Sequence, residues 1–146
     1  MRLTKEISNG ILIFFGISFF FLMMELFGFS KIIYLRILNA AIIYYGVRCT
    51  LKSNFKDDET GYVTNLISAG LTAFIGVFLS ILGLTGYLYL QGGDDYVGQL
   101  SGEFIFGGNP TANQYLLGLF FEGIASAVIV VFIAMQLWRN KTSSSD

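Results

Sequence analysis

The chain has 146 residues, of which 54% are hydrophobic, 16% aromatic and only 13% charged, with a mean hydropathy of +0.65. An ordinary soluble domain carries about 25% charged residues, so the composition points to an integral membrane protein of one domain. A net charge of −1 leaves no basic field for nucleic acid, while a single Cys and no His exclude disulfide frameworks, most metal sites and histidine-based catalysis.

A helix that crosses the hydrocarbon needs about 20 mostly apolar residues. Residues 10–29 are the first candidate, with Glu25 as their only charge. Residues 32–47 form a shorter second run, which Lys31 and Arg48 extend by snorkelling at its ends. The third run, Tyr62–Leu90, is uncharged over 29 residues, so it must tilt or protrude. Residues 115–138 are the fourth and contain only Glu122 as a charge. Tyr62, Tyr87, Tyr89, Tyr115 and Trp138 fit interfacial belts. None of these segments alternates with the period of two that a barrel strand needs. The expected fold class is therefore all-α, an integral membrane four-helix bundle. Arg2 and Lys5 followed by an apolar stretch ending in Gly28-Phe29-Ser30 have the outline of a signal peptide. The stretch is long for one and Glu25 interrupts it near the supposed cleavage point, which favours a retained helix.

Basic flanks set orientation. Arg2, Lys5, Arg48, Lys52, Lys56, Arg139 and Lys141 fall on one side, seven in all, against Lys31 on the other. Both termini are expected in the cytoplasm. The acidic run Asp57-Asp58-Glu59 does not change this, because acids contribute little to the rule. The outer loop, 91–114, contains Tyr96, Val97, Leu100, Phe104 and Ile105 at helix-like spacing, which predicts a short amphipathic helix serving as a loop cover or as a lid. Residues 142–146 read as a disordered tail. No internal repeat is evident, and unequal halves weaken an inverted-repeat carrier.

Ionisable residues inside spans usually face the bundle interior. Glu25 and Arg36 lie about equally far from the first turn and reach the same depth, about 6–8 Å inside the span ends. That makes them expected partners, either as a clamp on the hairpin or as a substrate or ion site. Asn39 shares the face of Arg36, and Ser18 that of Glu25 two turns away. Glu122 is about 10 Å deep in the fourth run. It is expected either to approach Arg36 or to be protonated by desolvation, as a hydrogen-bonding group or a proton-coupling one. Gly118 and Ala125 put it on a packed face. Ala69, Ala73, Gly76, Ser80 and Gly83 form a heptad-like seam of small residues for close helix packing. Cys49 reads as a small interfacial residue, with acylation as the alternative.

The Tyr62–Gly70 start of the third helix after a charged loop, the long outer loop, Phe121-Glu122-Gly123 and the basic end Trp138-Arg139 together resemble a family of small four-helix membrane proteins of Bacteroidetes, catalogued as a domain of unknown function. The resemblance covers nearly the whole chain. It implies four spans in a bacterial inner membrane, with no activity attached. No phosphate loop and no nucleophile with a base can be assembled, so neither an enzyme nor a cofactor is expected. The expected role is a structural or accessory helix-packing subunit, whose partners are membrane lipid and either further copies of the chain or a larger membrane complex. The alternative is an oligomeric proton- or ion-coupled transporter or channel subunit using Glu25, Arg36, Asn39 and Glu122.

Overall fold

The computed structural model describes residues 3–29, 34, 37–100 and 110–142. Among these it is all-helical, with α1 (Leu3–Leu26), α2 (Ile37–Lys56), α3 (Tyr62–Leu90), the short α4 (Asp94–Leu100) and α5 (Ala112–Thr142). Three of them, α1, α3 and α5, are long and apolar enough to cross a membrane.

Local chemistry ends each helix. Gly28 adopts φ 73°, a left-handed conformation that glycine reaches without steric penalty. There the Phe29 N–H donates to Met24 O at 2.7 Å and the Gly28 N–H to Glu25 O at 3.0 Å, which closes α1 in a Schellman motif. Asp58, at φ 58°, plays the same part after α2, where the Glu59 N–H reaches Asn54 O. At the start of α5, Thr111 and Gln114 make a reciprocal capping box: the Gln114 N–H donates to Thr111 Oγ1 at 3.4 Å and the Thr111 N–H to Gln114 Oε1 at 3.1 Å.

The second apolar run, 32–47, does not coincide with α2. Most of its first five positions lie outside the described residues, and the helix continues nine residues beyond Val47, to Lys56. The reason is an inward face that does not stop at the first basic residue. Ile43, Gly46, Val47, Thr50, Leu51 and Asn54 are all buried at helical spacing, while Arg48, Lys52 and Lys56 stay exposed.

Helices α2 and α3 touch each other and both flank α1 and α5. Contacts of the start of α1 with the end of α2 and the start of α3, together with Phe55 stacked on Trp138 at 4.9 Å, put the start of α1 and the end of α5 at one end of the molecule. We call it the terminal end, and its opposite the α4 end. Glycines set the helix spacing. A Cβ at Gly10 would come within 2.6 Å of Ile75, one at Gly16 within 2.7 Å of Ile42, and one at Gly123 within 2.7 Å of Val77. The core is built of Ile13, Ile43, Val47, Leu51, Ala73 and Val131 with their neighbours. A smaller cluster, Leu88, Val97, Ala112, Tyr115 and Leu116, seats α4 on the end of α3 and the start of α5. The outward surface is apolar as well: Phe15, Phe19 and Phe121 are each about two-thirds exposed.

Candidate functional site

A cavity of about 310 Å³ lies where α1, α2, α3 and α5 converge in the α4 half of the molecule. Most of its wall is apolar, with Phe14, Ile17, Phe21, Ile81, Leu84 and Leu119 among the lining residues. Its polar groups are Ser18 of α1, Asn39 of α2, Ser80 and Tyr87 of α3, and Glu122 and Ser126 of α5. Helix register brings four of these into one band. Gly16 faces Ile42, Ile13 faces Gly76 and Val77 faces Gly123, so at about 1.5 Å per residue Ser18, Asn39, Ser80 and Glu122 fall within about 6 Å of one another along the bundle. Ser80 donates to Gly76 O of its own helix at 2.7 Å. Asn39 Oδ1 is buried and accepts no hydrogen bond among the described residues.

Two of the four ionisable or amide residues singled out from the sequence, Asn39 and Glu122, thus share one cavity wall. Arg36, the expected partner of Glu25, lies outside the described residues. Within them, the Glu25 carboxylate accepts hydrogen bonds from the Tyr87 hydroxyl at 2.5 Å and from the Tyr96 hydroxyl of α4. Phe21 and Tyr96 both meet the Tyr87 ring edge-on, so Glu25 holds a lid of aromatic rings over the α4 end of the cavity. Burial, reinforced by the Glu25 hydrogen bond, pushes the Tyr96 hydroxyl well above its ordinary range and keeps it a donor. The expected surface helix is present as the seven residues of α4, with Val97 buried and Tyr96 half-buried. Phe104 and Ile105 lie outside the described residues.

Along the small-residue seam, Ala69, Ala73 and Gly76 are buried and Ser80 is half-buried. A Cβ at Gly83 would come within 2.8 Å of the Phe14 ring. On α5 the face beside Glu122 that packs inward runs through Leu119, Gly123 and Ser126, and Ala125 is exposed. The approach of Gly123 to Val77 rotates the helix away from the Gly118–Ala125 face expected from spacing.

A second polar group was not read from the sequence. Near the terminal end, Glu6, Thr50, Asn54, Asn65, Ser68 and Thr72 are buried where α1, α2 and α3 meet. Ser68 donates to Glu6 Oε1, and Asn54 Nδ2 donates both to Ser68 Oγ at 3.0 Å and to Asn65 Oδ1 at 3.1 Å. Asn65 Nδ2 in turn ties down the loop carbonyls of Glu59 and Gly61. Asn9 donates to Thr50, which shares a hydrogen bond of 2.9 Å with Thr72. The signal was available as helical spacing, with Asn65, Ser68 and Thr72 on one face of α3, but Glu6 lies ahead of the first apolar run, 10–29. Among the described residues no three His, Cys, Asp or Glu side chains converge as a metal site. No protein-family model, curated protein or solved structure matches the chain.

Proposed function

We propose that the protein is a four-span membrane protein with both termini in the cytoplasm, acting as a structural or accessory subunit that packs on a larger membrane complex or on copies of itself. One observation carries this reading: large apolar side chains cover the outward faces while polar side chains are drawn inward or to the ends. Phe15, Phe19, Phe121, Ile129 and Phe132 are all more than half exposed, whereas Glu6, Asn54 and Ser68 are almost fully buried. That is the distribution a helix assembly needs when lipid is its solvent. In this reading α2 is the fourth span, with its polar second half sheltered by α1 and α3 and its basic side chains reaching the interface. The resemblance to the Bacteroidetes family supports a bacterial inner membrane. Carbonate extraction at high pH tests the membrane assignment, and retention in the pellet is the expected result. A pull-down in mild detergent tests the role. The expected eluate contains a stable larger partner or further copies of the chain, and a monomer without any partner would count against the role.

A second reading, a proton- or ion-coupled carrier or channel subunit, is favoured by Glu122 on the wall of the cavity between α1, α2, α3 and α5. Its test is Glu122→Gln in proteoliposomes, where loss of a pH-driven flux shown by the parent, with folding intact, would support it.

A further inference from the structure

We propose that the cavity between α1, α2, α3 and α5 binds one single-chain amphiphile whose head group donates hydrogen bonds. A volume of about 310 Å³ is at the lower end of small-molecule sites, which run about 300–1,000 Å³. At about 30 Å³ for a water-sized group it holds about ten such groups. Left empty, so large a gap would forfeit the dispersion contacts of every side chain around it. Water suits only the polar band of Ser18, Asn39, Ser80, Glu122 and Ser126, where it finds the two to four polar partners that a buried water needs, and does not suit the larger phenyl and aliphatic part of the wall. A short hydrocarbon chain does suit it.

The polar level decides the other end of the ligand. Ser80 has committed its hydroxyl proton to Gly76 O, so it presents lone pairs to any further partner. Asn39 Oδ1 is a buried acceptor with no donor among the described residues. Two acceptors lining one cavity call for a hydroxyl or an ammonium, and leaving the Asn39 oxygen unmatched is unfavourable in an apolar surrounding. From Ser80 to the Tyr87 lid α3 rises seven residues, about 10 Å, which gives a chain room to lie along Leu84 and Leu119. Leu22, at the rim, is 46% exposed, so the occupant comes from the surface that faces lipid.

The probe is 1-heptanol carrying a diazirine at its far end, photolysed with the purified protein in detergent. The expected result is saturable labelling within 81–87 and 115–119, displaced by 1-heptanol better than by heptane. A single neutral hydrogen bond predicts a preference of about three- to tenfold. Competition by heptylamine, compared with 1-heptanol, distinguishes an ammonium head from a hydroxyl. Ser126→Phe fills the cavity and is expected to abolish labelling while the melting temperature is kept. Asn39→Leu is expected to bring 1-heptanol down to the level of heptane, and it decides the matter if Ser126→Phe fails to fold. Equal competition by heptane, labelling unchanged in Asn39→Leu, or labelling confined to Phe121 and Ile129 on the outer surface would overturn the proposal. Access from lipid rests on the membrane reading above. Labelling in detergent tests the cavity by itself, so its failure and a failure of carbonate retention are separate results.

Discussion

Ile13 of α1 occupies the space that a side chain at Gly76 of α3 would need: a Cβ there would lie 2.6 Å from Ile13 Cβ. The same isoleucine fills the place of a side chain at Gly46 of α2, so one fully buried residue sits in a socket made by two glycines. Gly76→Leu is expected to force α1 and α3 apart and to destabilise by about 1–3 kcal/mol. Gly70 has open space around its Cβ position. Gly70→Ala is expected to be neutral or stabilising by up to about 1 kcal/mol through helix propensity. Thermal unfolding of both variants in one detergent checks the contrast, and equal melting of Gly76→Leu and the parent would mean the socket is not tight.

The Glu25 carboxylate joins three elements through Tyr87 and Tyr96. In a double-mutant cycle of Glu25→Gln and Tyr96→Phe the losses are expected to be non-additive, with a coupling of about 0.5–3 kcal/mol. Additive losses would show that α4 is seated by Val97 and its apolar neighbours alone.

The raised Tyr96 hydroxyl has a definite pH consequence. A group that holds its proton more tightly when folded stabilises fully below its unfolded value of about 10. That contribution is lost as pH rises from about 10 through the higher folded value. Between pH 7 and 9 the docking of α4 is therefore expected to be insensitive to this group. Alkaline titration of tyrosinate absorbance in the parent and in Tyr96→Phe checks it, and the missing transition should lie above the ordinary tyrosine range.

At the terminal end, Glu6→Ala removes the acceptor of Ser68 and leaves the Asn54–Ser68 chain one bond short. The expected loss is about 1–3 kcal/mol, the usual effect of leaving a buried polar group unmatched. Glu6→Gln keeps an acceptor oxygen in place and is expected to lose less. Reversal of that order in thermal unfolding would mean the carboxylate charge, and not the hydrogen bond, holds α1 to α3.

Orientation can be read with single cysteines in a Cys49→Ser background. Asp95→Cys, exposed on α4, is expected to react with an impermeant thiol reagent applied to intact cells, and Thr60→Cys, exposed after α2, only after permeabilisation. The opposite pattern would reverse the topology.

Composition and helical spacing were sufficient to identify long apolar helices, because hydrophobic runs of that length are a local property. α3 spans the same residues as the uncharged run Tyr62–Leu90. The amphipathic spacing after Asp94 likewise announced α4. The length of α2 was not legible from apolarity, since its second half is buried through Thr50, Leu51 and Asn54 against helices distant in sequence. Sequence spacing put Asn39 and Glu122 on their helices, but only the packing register brought them to one cavity wall. The pair of tyrosines held by Glu25 and the Glu6–Ser68–Asn54 chain were likewise decided by the tertiary structure. Each joins side chains that are far apart along the chain, and a hydrogen bond across such a gap depends on where whole helices cross, which no single segment encodes.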